Sequence, residues 1–160
     1  MKAIAIAAGL ALTAATAQAQ VLTERNISMA LANEIAVEAI KACAAKKFNV
    51  TATVVDKSGI VRVVLRADNA GPHTVAASRA KAFTSVSTRN KSSAVMTMSQ
   101  KNPGAQYLAA IDGFLLLGGG LPIKAGDAVI GALGIGGAPG GHLDEACGEA
   151  ALEKVSAKLK

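Results

Sequence analysis

Aromatic residues are nearly missing from this 160-residue chain, which has no Trp, one Tyr and three Phe. Single-stranded nucleic acids are usually held by stacking bases on aromatic side chains, so the composition argues against a nucleic-acid partner. The chain is nonetheless 51% hydrophobic, so its core must be built from Ala, Val, Ile and Leu. Cysteine is scarce as well. Cys43 and Cys147 stand far apart, and with no second Cys or His pair beside either one the spacing fits no zinc motif. There is no Gly-Lys-Ser/Thr of a phosphate loop and no Gly-x-Ser-x-Gly elbow, so nothing marks a nucleotide hydrolase or a serine hydrolase. Acidic side chains are absent between Asp68 and Asp112, whereas Arg79, Lys81, Arg89, Lys91 and Lys101 all lie there. That window reads either as an electropositive attractor for an anion or as a solvated basic face.

The beginning of the chain has the pattern of an export leader. Lys2 supplies a positive start, Ala3 to Ala15 a short apolar stretch, and Ala17-Gln18-Ala19 a small-residue cleavage signal, so the mature chain is expected to start at Gln20. The apolar stretch is short for a membrane span. The expectation is a leader over 1–19 and one domain over 20–160, in the periplasm or secreted, with no stable membrane insertion once the leader is gone. The formal charge of +6 falls by one with Lys2. In an oxidising compartment Cys43 and Cys147 are free to pair. Both also lie on apolar helix stripes where plain buried thiols belong, and the residues alone leave the two readings open.

Periodicity predicts a long amphipathic helix capped by Thr23 and ending near Lys47. A β-hairpin over 50–66 turns at Asp56-Lys57-Ser58-Gly59. A second helix is expected over 74–88, with Val75, Ala76, Ala80, Phe83 and Val86 as its buried face. A short helix over 93–100 and another opened by Pro103 follow. Then come short apolar pieces at 114–117 and 121–124, a strong strand over 127–136 and a last helix over 143–159. This order of helix, hairpin, helices, strands and helix implies an α+β fold with an antiparallel sheet.

Glycine crowds the stretch from Gly118 to Gly141. The Gly134-Ile135-Gly136-Gly137-Ala138-Pro139 run resembles a dinucleotide fingerprint only superficially, because Pro139 stands where a third Gly or Ala is needed and no βαβ unit follows. The backbone N–H groups of Gly140, Gly141 and His142 open a helix, where they either hold an anion or form a loop whose helix dipole is complemented by Asp144 and Glu145. Glu145, Glu149 and Glu153 recur every four residues and read as a solvated face. The two histidines, His73 and His142, are candidates for metal ligation or acid–base work, or for structural bonds at helix ends. Tyr107, Met96 and Met98 are further axial-type candidates.

Four ordered stretches are similar to the GlcG/HbpS family, the haem-degrading domain. They are Val54-Val55-Asp56-Lys57-Ser58-Gly59 with Leu65-Arg66-Ala67-Asp68-Asn69-Ala70, then Ser78-Arg79-Ala80-Lys81-Ala82-Phe83-Thr84, then Gly118-Gly119-Gly120-Leu121-Pro122-Ile123, and finally Val129 to Ala138 with Asp144-Glu145-Ala146. The resemblance implies a profilin-like α+β fold whose first and last helices share a face, bringing Cys43 and Cys147 within reach. It also implies a homo-oligomer that binds, and in some members degrades, haem. On that basis His73 is the first choice of iron ligand, with Tyr107 and His142 behind it, and Arg66, Arg79 and Lys81 are candidates to pair the propionates. The Glu-x-x-Glu iron motif of some members is absent; the nearest pattern is Glu145-x-x-x-Glu149. The alternatives are a small organic-acid-binding protein or enzyme of glycolate-type metabolism, using the same basic window without iron, and a structural homo-oligomer without catalysis.

Overall fold

The computed structural model describes residues 20–160. The expected leader over 1–19 lies outside the described residues. Helix α1 (Met29–Ala44) is followed by strands β1 (Thr51–Asp56) and β2 (Val61–Arg66), helices α2 (Thr74–Thr88) and α3 (Ser92–Lys101), and a 3-10 helix over Pro103–Ala110. Strands β3 (Gly120–Ala125) and β4 (Ala128–Gly136), helix α4 (Gly141–Lys154) and a short 3-10 turn over Ser156–Lys158 complete it. All pairings are antiparallel and the strand order is β2-β1-β4-β3. The expected α+β architecture, an antiparallel sheet flanked by helices, is what the chain forms.

Helix α1 starts later than the sequence suggests. Ser28, not Thr23, caps it, with Oγ accepting from the Leu31 N–H at 3.2 Å. The residues before it are held elsewhere: the Ile27 N–H donates to the Ile130 carbonyl at 3.0 Å, and Asn26 Oδ1 accepts from the Lys57 N–H. The first bond satisfies a backbone N–H that a longer helix would have used internally, and the second ties the segment's side chain to the hairpin turn. The last helix likewise ends at Lys154 rather than 159, where the chain tightens into the 3-10 turn. Of the two apolar pieces beside the triple glycine, 121–124 becomes strand β3 and 114–117 does not.

Alternation along the central strands divides the molecule into two faces. Ala52 and Val54 of β1 and Leu133 and Ile135 of β4 point to one side, where α1 and α4 bury Ile35, Ala36, Ala39 and Ala151 against them. On this side Cys43 and Cys147 form a disulfide between α1 and α4, closing a separation of 104 residues. Thr51, Thr53 and Val55 of β1 and Ala132 of β4 face the other side, which α2 covers.

Of the face expected to be buried on helix α2, only Val86 is buried; the rest of the helix packs on a different side. Its buried residues are Thr74, Ser78, Lys81, Ala82, Thr84, Ser85 and Val86, whereas Val75 and Ala76 are exposed and Ala80 and Phe83 only half-buried. The cause lies in the sheet beneath it. Gly120 and Gly134, paired across β3 and β4, admit the helix backbone directly: a Cβ on Gly134 would stand 1.9 Å from the Ser78 carbonyl oxygen, and one on Gly120 2.3 Å from that of Lys81. At such a distance only short side chains fit between. The hydroxyls that fill the gap bond to one another, Thr51 to Thr74 and Thr53 to Ser78, each at 2.7 Å, so burying them costs little.

Candidate functional site

The inverted packing of α2 leaves an apolar stripe on the outside of the molecule. His73, Ala76, Ala80 and Phe83 follow one another at helical spacing, three or four residues apart, and so share one face. Phe83 meets Phe114 edge to face with ring centroids 6.1 Å apart, which fixes the far end of the stripe. Between α2 and the chain at Asp112 and Gly113 lies an open cleft of about 400 Å³, lined by Ala76, Arg79, Ala80, Phe83, Asp112 and Gly113. That volume falls within the range of small-molecule sites. The alanines leave room, Phe83 gives an apolar wall, and Arg79 supplies a cation that makes no ion pair among the described residues.

His73 is exposed and precedes the first residue of α2, with its ring lying over Gly71. It stands about 4.5 Å along the helix axis from Ala76, three residues at the rise of an α-helix. Its imidazole is not part of the cleft lining; it lies one helical step beyond Ala76 and makes no side-chain hydrogen bond as a helix cap. Arg66 is exposed at the end of β2 and its guanidinium donates to the Ala70 carbonyl, tying down the loop that delivers His73.

Lys81 has a different place. It is 2% exposed, and its ammonium donates to the Asp144 carboxylate at 2.8 Å and to the Ile135 carbonyl at 2.9 Å. Burial pushes the Asp144 carboxyl up from its ordinary value, while the Lys81 ammonium and the Ala138 N–H hold its charged form. The charge of Lys81 is thus spent inside the fold, joining α2, β4 and α4, and not on the outer face of α2. Asp144 is also what occupies the first turn of α4, with Oδ1 accepting from the Ala138 N–H at 3.0 Å.

Tyr107 and His142 do not line the cleft. Tyr107 is 75% exposed on the 3-10 helix, and His142 is exposed on the first turn of α4 with its ring over Gly140. Met96 is half-buried and Met98 exposed on α3. Glu145 is not solvated as its helical period suggests: it is buried and accepts from Ser93 Oγ at 2.9 Å, while Glu149 pairs with Lys91. No cluster of three or more metal-ligating side chains occurs among the described residues, so His73 as a ligand would stand alone on the protein side. The sequence reading missed Ala76, Ala80 and Phe83 as cleft residues because it assigned them to the core. The signal that marks them is the competing stripe Thr74, Ser78, Lys81 and Ser85, in which the hydroxyls of Thr74 and Ser78 match Thr51 and Thr53 of β1.

Comparison with known proteins bears on the family and the fold. The family model described as haem degrading protein, HbpS-like, matches residues 27–153. No curated protein matches the chain. Among solved structures, a double mutant of Streptomyces reticuli HbpS superposes with a TM-score of 0.82 at 31% identity, covering 92% of this chain and 99% of that one. Klebsiella pneumoniae protein ORFY gives 0.81 at 24% identity, covering 89% and 99%. The PduOC protein, solved as a complex with haem, gives 0.71 at 20% identity, covering 80% and 94%; at that identity the likeness is one of fold.

Proposed function

This chain belongs to the HbpS-like family of haem-degrading proteins, and from that premise we propose that it binds haem on the outer face of α2. The observation that carries the proposal is the inverted helix. A face with Val75 and Ala76 exposed, with Ala76, Arg79, Ala80 and Phe83 lining the cleft and the exposed His73 one helical step beyond it, is largely apolar surface that folding leaves unused. Haem asks for that combination: a flat apolar wall, a cation for a propionate and a nitrogen donor for the iron. The cleft itself offers the apolar wall and the cation; His73 would have to supply the donor from just outside the lining, and a propionate would sit at Arg79 on the side away from Asp112. The haem held by PduOC, a protein of the same fold, points the same way.

In this reading His73 offers the iron its imidazole, Arg79 pairs one propionate, and Ala76, Ala80 and Phe83 exclude water from the porphyrin face. Lys81 holds α2 at its height on the sheet and touches no ligand. The redox chemistry, and any degradation, is what the haem iron supplies when bound; the chain contributes position and a low-dielectric surface. Export to the periplasm or beyond, and assembly of several copies, belong to the same proposal. Assembly is supported by Val61 and Val64, which lie exposed on the edge strand β2. No helix among the described residues is long and apolar enough to cross a membrane.

Titrating the purified mature protein with hemin tests the reading. A saturable shift of the Soret band is expected, and His73→Ala should move the band while leaving the protein folded. A titration without saturation removes haem; an unchanged spectrum in His73→Ala removes the ligand. A second reading keeps the unpaired Arg79 and dispenses with iron: a small organic acid would set its carboxylate there. Protection against heat by glycolate but not by hemin, lost in Arg79→Ala, would favour it.

A further inference from the structure

On the opposite side of the sheet's length, the free edge of β3 borders a second groove, of about 430 Å³, that the haem reading does not use. Its floor is apolar: Leu121 and Pro122 of β3, Leu152 of α4 and Leu159 near the chain end. Leu152 and Leu159 are half-buried and pack against the main core, so the floor is firm. Around it stand Arg89, Lys91 and Lys124, with Glu149 the one carboxylate. Lys91 and Glu149 neutralise each other. That leaves Arg89 and Lys124, both exposed and without an ion pair among the described residues, as uncompensated positive charge beside an apolar floor.

An exposed strand edge ordinarily invites another strand. This one does not. The outward N–H of Gly120 is taken by Ser92 Oγ at 2.8 Å, and two residues on, Pro122 has no N–H to offer. A peptide adding to the edge would meet neither donor. The groove is therefore suited to an occupant that needs no backbone ladder and brings its own negative charge.

We propose that this groove is a binding site for a free amphipathic carboxylate of fatty-acid size, its chain on the leucine floor and its head between Arg89 and Lys124. It is separate from the α2 cleft and shares no lining residue with it.

Calorimetric titration of the full mature protein with dodecanoate tests this, with dodecanol as the uncharged equivalent. Saturable one-site binding of dodecanoate is expected, with dodecanol at least about tenfold weaker, the worth of a charge-assisted bond. The variant Arg89→Asn/Lys124→Gln should weaken dodecanoate by about tenfold or more. Asn is chosen because residue 89 holds a left-handed backbone, φ 57°, which Asn tolerates. Should that variant misfold, Lys124→Gln alone, at an exposed side chain, should still show weaker binding. The proposal is overturned if dodecanoate does not saturate, if dodecanol binds equally, if folded charge variants bind as the native protein does, or if Arg79→Ala abolishes the binding. A hemin shift retained in the Arg89/Lys124 variant separates the two sites, and failure of the native hemin titration leaves this groove untouched.

Discussion

Lys81 shows how a residue chosen for its charge can serve the fold instead. In the sequence it sits in the acid-free window with Arg79, and at that level the two are equivalent anion binders. Two residues of helix separate them by about 200° around the axis, which sends Arg79 to solvent and Lys81 under the helix. Its partner Asp144 lies 63 residues away, beyond any local pattern. The pair is buried on both sides, 2% and 3% exposed. Lys81→Met should leave the Asp144 carboxylate enclosed without a cation and cost about 3–5 kcal/mol near neutral pH. The pH dependence has a definite sign. With the cation gone, only the Ala138 N–H opposes burial of a carboxyl already pushed up, so its folded pKa lies above its unfolded one. The stability it contributes is present below the unfolded value and lost as pH rises through the folded value. The deficit of Lys81→Met should therefore be largest near pH ~7 and shrink toward pH ~4.5, as urea unfolding at both values would show. An equal deficit at both would mean that Asp144 does not titrate in this range.

At the scale of elements, α2 is the part whose sequence and packing disagree most. Its bounds are legible, since the helix expected over 74–88 is the helix observed. The hairpin and the strong late strand are legible too, because β-branched runs and turn residues are local signals. Its buried face is not legible from the helix alone. Hydrophobicity points to Val75, Ala76, Ala80, Phe83 and Val86, of which only Val86 is buried; elsewhere the glycines opposite bring the backbone so near that size decides over polarity. The information sits in two places far apart in the chain: the hydroxyls of α2 and the glycines of β3 and β4. Two substitutions test this. Gly134→Ala puts a methyl against backbone, not against a yielding side chain, and should cost about 3 kcal/mol, the upper end for overpacking, measured by denaturant midpoint. Ala76→Gln, on the outer face, should change stability by less than about 0.5 kcal/mol while weakening hemin about tenfold, as one lost apolar contact implies. A large loss of stability in Ala76→Gln would mean that this face is part of the core.

For the whole molecule, the covalent tie between the first and last helices matters most. Cys43 and Cys147 are both fully buried among the apolar residues of α1 and α4, and the residue pattern left open whether they pair. Only the topology, with both helices on one face of the sheet, brings them together. Cross-linking points so far apart should stabilise at the upper end of the usual range, about 4–5 kcal/mol in the chain-entropy account. Cys43→Ala/Cys147→Ala should lower the melting temperature accordingly, and an unchanged melting curve would show that the core holds without the bond. Further ties run alongside it: Lys158 pairs with Glu34 at 2.7 Å, and the Gly126 N–H donates to Leu159. The disulfide also sets the order of maturation. Cys43 is synthesised first and must wait as a thiol until Cys147, 104 residues later, has followed. With two cysteines in these 160 residues there is a single intramolecular pairing, so closing it takes an oxidant and no reshuffling of wrong pairs.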